Sequence, residues 1–243
     1  MAAVEDSPFT DTLSAGERLT AHEMVRDTLR HAILSSRLPA GTRLVQADIA
    51  AQLKVSTTPV REALRDLASD ELIRFHPHRG AVVHELDMDE LVEIYEIRKA
   101  LEPLAIKLAA TRITAAQLSE ATALQRRMEA EADRGAWVEL NREFHAVLGS
   151  AARSPRLASF VKTAQDIAAL YVAHSVQVDP TRMREGNSDH RRLLAALKAR
   201  DGDRAATVML RHLDSTLQSV RVDPRAARSA TPARSRLKRA VQV

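Results

Sequence analysis

Three groups of side chains in this sequence have types and spacings that could do chemistry. The first is a run of hydroxyls with a guanidinium, Ser56, Thr57, Thr58 and Arg61, at the head of a stretch with helical periodicity. Hydroxyls and free N–H groups at a helix N-terminus bind phosphates, and an arginine beside them reaches a phosphate or a guanine edge. The second group is Asn141, His145, His190 and His212. Asn141 and His145 are four apart, hence on one helix face, and flank the apolar series Trp137, Leu140, Phe144, Val147. His190 starts a series continued by Leu193, Leu194 and Leu197, and His212 lies within Ala205, Met209, Leu213, Thr216, Val220. One inward imidazole is ordinarily a satisfied core histidine. Three on separate inward faces are costly unless paired or metal-bound, which favours convergence on a divalent ion. The third group is Arg98, in register with apolar Leu91, Ile94, Leu101, Ala105 and Leu108. A guanidinium facing a bundle needs an anion. Glu102, one turn on, and the carboxylate of a small ligand are equal alternatives on the residues alone.

The elements that must position these groups follow from periodicity. Helical spacing covers residues 21–36, Pro39 and Gly41 break the chain, and a short helix fits 47–53. Ser56 is expected to cap a third helix that tolerates Pro59 in its first turn and turns Val60, Ala63, Leu64 and Leu67 inward. Two short apolar runs, 72–75 and 81–83, surround the Pro/Gly turn 76–80 and predict a hairpin. Three helices and a hairpin in so short a span describe a winged helix-turn-helix. His78, Arg79 and Gly80 would form the wing tip, while Arg37, Arg43, Arg65 and Arg74 add positive potential.

After Asp87 every segment reads as helix: 88–111, a helix opened at Thr114 with Gln117 completing a capping box, then 136–151, 155–174, 189–200 and 203–220. Gly135, Ser154-Pro155, Asp179-Pro180 and Asp201-Gly202 are the expected breaks. The fold class is therefore mainly α, an N-terminal winged helix-turn-helix followed by an all-α bundle. The expected divisions are a loose leader at 1–16, the DNA-reading domain at 17–84, the helical domain at 85–220 and a basic, disordered tail at 221–243.

Composition narrows the function classes. The 243 residues carry 36 Lys+Arg against 32 Asp+Glu, a net +4. Residues 221–243 alone contribute +6, so the high pI belongs to the tail and says little about what the folded part binds. With no cysteine there is no disulfide framework, no thiol nucleophile and no zinc finger. The longest stretch free of Asp, Glu, Lys and Arg in the C-terminal half has 12 residues, against about 20 needed to span a bilayer. The N-terminus lacks the apolar core of a signal peptide, and the expectation is a cytoplasmic protein with no membrane partner.

The strings Leu38-Pro39-Ala40-Gly41-Thr42-Arg43-Leu44, Ile49-Ala50 and Val55-Ser56-Thr57-Thr58-Pro59-Val60-Arg61-Glu62-Ala63-Leu64 resemble the N-terminal domain of GntR-type bacterial transcription regulators. The resemblance implies a homodimer on a near-palindromic double-stranded DNA operator, with Ser56, Thr58, Arg61 and the wing residues 78–80 at DNA-contacting positions. Thr57 stands where many such regulators have Arg, and Gln46 and Ala47 stand where Glu and Arg are frequent. Those departures alter sequence preference more than affinity, so the operator is not transferable.

Residues 85–220 are similar to the all-helical FCD ligand-binding domain of the FadR-like branch, through Arg98-x-x-Leu101-Glu102, Asn141-x-x-x-His145 with Phe144, and Asp189-His190 followed by His212. That similarity implies one divalent ion per chain on Asn141, His145, His190 and His212, with zinc foremost and nickel or manganese as alternatives. It also tips Arg98 toward binding a small organic acid. The expected function is an effector-responsive transcription regulator, a repressor, and not an enzyme. The alternatives are a metal-dependent hydrolase on the same histidines and a regulator that senses the metal itself. Against the hydrolase, no His-Glu-x-x-His string is present.

Overall fold

The computed structural model of the chain describes residues 20–85 and 87–221. The expected leader, and all of the expected basic tail except Arg221, lie outside them. The N-terminal part is built from α1 (Ala21–Leu34), β1 (Arg43–Leu44), α2 (Gln46–Leu53), α3 (Thr57–Ser69), β2 (Ile73–His76) and β3 (Gly80–Val83). Thr20 and Glu23 form a capping box that starts α1, and α3 turns Val60, Ala63, Leu64 and Leu67 inward as its spacing dictates. The three strands form an antiparallel sheet in the order β1-β3-β2, with Leu44 opposite Ala81 and His76 opposite Gly80. Gly80 takes φ +72, the left-handed region that closes the wing turn at little cost to glycine alone.

The C-terminal part is α4 (Met88–Arg112), α5 (Ala115–Ala130), α6 (Arg134–Ala151), α7 (Pro155–Val178), α8 (Thr181–Lys198) and α9 (Gly202–Arg221). The Thr114–Gln117 capping box at the head of α5 is present as the sequence predicts. Two expectations are corrected here. Gly135 does not break the chain: it lies inside α6, where a Cβ would stand 2.8 Å from the Cβ of Ser35, so α1 and α6 approach at the one side chain that permits it. The eighth helix starts at Thr181 and not at residue 189. Its residues 186–189, Gly-Asn-Ser-Asp, have poor helix propensity but are fixed by packing: Gly186 lies under the Trp137 indole, whose Nε1 donates to Asn187 Oδ1 at 3.2 Å.

One cluster of buried apolar side chains runs through both parts, from Val25 and Leu29 of α1 and Leu64 of α3 through Tyr95 of α4 and Phe144 of α6 to Leu213 and Val220 of α9. Polar contacts also cross the boundary. Arg30 of α1 pairs with Asp70, its Nε lies 3.9 Å from Glu139 of α6, and Lys162 of α7 lies 3.7 Å from Asp70. At the other side of the boundary Glu90 of α4 is a shared acceptor: Arg74 of β2 at 2.5 Å, His84 Nε2 at 2.7 Å and the Tyr171 hydroxyl at 2.9 Å. Burial alone would push the Glu90 carboxyl up, but His84, Tyr171 and Arg74 outweigh it and hold it below the ordinary range. Among the described residues, no helix is long and apolar enough to cross a membrane.

Candidate functional site

The exposed end of the N-terminal domain carries the first group of predicted residues. α2 ends at Lys54 in a left-handed conformation, which turns the chain into α3. Ser56 occupies the N-cap position with extended backbone, but its hydroxyl makes no capping bond, contrary to the cap expected from sequence. The hydroxyl and the first-turn N–H groups of α3 are therefore free for an anion. Thr57, Thr58, Arg61 and Arg65 are exposed, with Arg61 and Arg65 one turn apart on the face opposite the buried one. Arg61 has no hydrogen bond or ion pair to the described residues. His78 and Arg79 form the exposed wing tip before Gly80, and Arg43 is exposed on β1. Arg37 is half-buried, its Nε donating to Ser35 Oγ at 3.1 Å. Arg74, expected to add to the DNA-facing charge, pairs instead with Glu90 across the domain boundary.

The second group meets inside the helical bundle. His145 of α6, His190 of α8 and His212 of α9 each offer a ring nitrogen within 4.8 Å of the others. Their ring centroids lie 5.1–5.4 Å apart. Phe144 and Trp137 flank the His190 ring, at centroid separations of 4.5 and 6.5 Å. His190 Nδ1 faces Gln125 Oε1 at 3.2 Å, which leaves its Nε2 lone pair toward the other histidines. Both nitrogens of His145, Nε2 of His190, Nδ1 of His212 and Oδ1 of Asn141 are buried without a hydrogen-bond partner. Five orphaned donor or acceptor atoms in one place are the expected cost of a core that holds nothing, and the expected donor set of a core that holds a cation. The set fits a divalent metal: three imidazoles and a neutral amide oxygen.

Burial pulls His145 well below the ordinary histidine range, helped by repulsion from His190, His212 and Arg98; burial does the same to His190. The neutral imidazole that results is the form that ligates. Asp189 lies 3.6 Å from His212 Nδ1 and accepts from Arg192 and Arg211 at 2.8 and 2.9 Å. Burial would raise its carboxyl, but His212 and these arginines hold it at about 2. Nothing in the spacing marked Gln125 or Arg211, because their partners lie on another helix, whereas Arg192 is three residues from Asp189 on α8 itself.

Arg98 lines the same cavity as Asn141, His145 and His212, a narrow recess whose enclosed volume is about 40 Å³. It is 5% exposed, lies 4.8 Å over the Tyr95 ring, and its Nε donates to Glu102 Oε1 at 2.5 Å. Of the two partners left open by the sequence, the one present here is Glu102. Glu102 takes one edge of the guanidinium, and the side chain still borders the cavity.

Comparison with known proteins agrees with this layout. A family model described as bacterial regulatory proteins, gntR family, matches residues 21–83, and one described as the FCD domain matches residues 93–215. The chain is 31% identical over 185 residues to the HTH-type transcriptional regulator McbR of Escherichia coli, covering 73% of this chain and 82% of that protein. It is 30% identical over 203 residues to a protein of Paenarthrobacter nicotinovorans named as a probable D-xylose utilization operon transcriptional repressor, covering 82% and 88%. The solved structure of McbR/YncC from E. coli superposes with a TM-score of 0.69 at 26% identity, over 84% of this chain and 98% of that one.

Proposed function

Because the chain belongs to the GntR family of bacterial transcription regulators and carries an FCD domain, we propose that it is a repressor whose DNA affinity answers to a small organic acid held beside a divalent metal. Both families and the named relatives are regulators, so the hydrolase alternative is set aside. DNA binding falls to Ser56, Thr57, Thr58 and Arg61 of α3, His78, Arg79 and Gly80 of the wing, and Arg37 and Arg43 beside them. The repressor sense is supported by the relative named as one. A homodimer on a near-palindromic operator in the cytoplasm follows from the resemblance of the DNA-reading strings. Exposed Ile97 and Leu104 of α4 and Phe160 of α7 offer apolar surface for a second copy.

One observation supports the effector part: the three histidines converge, each with at least one buried nitrogen unpartnered, and two of them, His145 and His212, line the cavity that Arg98 borders. His145, His190, His212 and Asn141 would hold the ion, zinc foremost, with nickel or manganese as alternatives. A bound divalent ion supplies a Lewis-acidic anchor for a carboxylate. Arg98 orients and neutralises that carboxylate, and Trp137 with Val172 and Val176 excludes water from one wall. The signal has a short route to the reading head: Tyr95 and Arg98 share α4 with Glu90, and Val172 and Ser175 share α7 with Tyr171.

The test is operator binding by the metal-loaded protein, titrated with a panel of organic acids and separately with chelator. Elemental analysis is made on protein purified without a metal-affinity tag. An acid that releases DNA only when metal is present supports the proposal. Release by chelator alone would favour direct metal sensing. Arg61→Ala should abolish operator binding in a folded protein, and undiminished binding would remove α3 from the interface.

A further inference from the structure

Of the three converging histidines, His190 is the one whose second nitrogen has a partner. Its Nδ1 lies 3.2 Å from Gln125 Oε1 of α5, whereas both nitrogens of His145 are unpartnered and His212 Nδ1 stands 3.6 Å from Asp189, beyond hydrogen-bond length. Gln125 is 3% exposed, so solvent does not compete for its amide. An amide and an imidazole can each be turned round, and what stands behind them decides which way they face. Behind Gln125 stand only acceptors. Its Nε2 donates to Glu129 Oε1 at 2.9 Å and to the Asn187 backbone O at 3.2 Å. Arg191 donates to the same Glu129 oxygen at 2.7 Å and holds the carboxylate in place. Asn187 is held as well, its side chain accepting from Trp137 Nε1 at 3.2 Å and donating to Met128 O at 3.4 Å. Neither acceptor can donate, so the Gln125 NH2 must face them and its Oε1 must face His190. Oε1 in turn only accepts, so the hydrogen of the neutral ring lies on Nδ1. Nε2, buried and unpartnered, keeps its lone pair for the triad.

Resting on the metal reading above, we propose that Gln125 is a positioning residue of the metal centre, which fixes His190 as the Nδ1–H tautomer and makes Nε2 its ligating atom before an ion arrives. The opposite tautomer would aim an N–H at the other two histidines and leave Gln125 Oε1 buried without a donor. A ligand already in its binding form raises affinity, because no tautomer change accompanies capture of the ion. α5 supplies none of the four expected ligands, so its part in the centre is played through this amide. The chain of contacts Arg191–Glu129–Gln125–His190 runs from the exposed surface to the triad.

Long-range proton–nitrogen correlation spectra of the metal-free full chain, labelled at histidine nitrogen, read the tautomer directly. The His190 ring is recognised by its contacts to both Phe144 and Trp137. Wild type should show His190 as a single Nδ1–H form; an Nε2–H or mixed form overturns the inference without any variant having to fold. Zinc affinity is read by competition with a chromophoric chelator. Gln125→Met keeps the length of the side chain and removes its carbonyl acceptor. It should lower zinc affinity at least about tenfold and return His190 to a mixture containing the Nε2–H form. Zinc binding by this variant within about twofold of wild type overturns the proposal. A fall in affinity with His190 still wholly Nδ1–H also overturns it, because Gln125 would then act only as packing. No zinc uptake by wild type overturns the metal reading and this inference together, whereas uptake with the wrong tautomer overturns this inference alone.

Discussion

Arg98→Ala removes one partner of a buried ion pair, and its consequence can be worked from the contacts. Arg98 and Glu102 are 5% and 2% exposed. Once the guanidinium is gone, Glu102 keeps Gln165 Nε2 at 3.1 Å as a donor. Stranding a charge so deep costs roughly 3–5 kcal/mol, and the surviving amide puts this case near the lower end, about 3 kcal/mol. For a domain of this size that corresponds to a fall in Tm of roughly 6–12 °C. Arg98→Met/Glu102→Gln removes both charges at similar volume and should regain at least about 2 kcal/mol of the loss. Urea unfolding followed by far-UV circular dichroism, with metal at fixed saturation, of wild type, Arg98→Met, Glu102→Gln and the double variant gives the four corners of the cycle. The double variant should regain stability without regaining its response to acid, which separates the two duties of Arg98. If Arg98→Ala unfolds within about 0.5 kcal/mol of wild type and Arg98→Met and Glu102→Gln are additive, the pair contributes nothing and the reasoning fails.

Glu90→Gln weakens the acceptor shared by Arg74, His84 and Tyr171, and should cut the acid-induced change in operator affinity while leaving acid binding itself near wild type; an undiminished change in affinity would remove this contact from the signalling route. Gly135→Ala drives a Cβ into Ser35 and should cost about 1–3 kcal/mol in urea unfolding. Ser35→Gly should restore only part of it, because Ser35 Cα and N also stand at 3.1 Å from the new atom. In metal-free protein, folded His145 and His190 refuse protons that the unfolded chain takes up near pH 6.5, so stability is retained above about that pH and lost as pH falls below it. Urea midpoints in chelator at pH 7.5 and 5.5 measure this, and a midpoint that rises on acidification contradicts it.

Most helices were legible because their apolar residues recur at the period that packing demands, as in α3 and α9. The histidine site was legible for the same reason: each imidazole sat in an apolar series, so each had to point inward. The failures have one physical origin. β1 has two residues, too few for any alternation, and exists because Arg43 and Leu44 pair with Val82 and Ala81. Residues 186–189 of α8 are held by Trp137 and Gln125 across the bundle, where local propensity argues against helix. Gly135 looks like a breaker until Ser35, a hundred residues earlier, is known to lie against it.

The apolar core that passes without interruption from α1 to α9 makes the two halves a single cooperative unit on melting. A calorimetric scan should then show one endotherm, with van't Hoff and calorimetric enthalpies in agreement. Any ligand of the bundle would raise the melting point of the DNA-reading half through mass action, although it touches none of that half's residues.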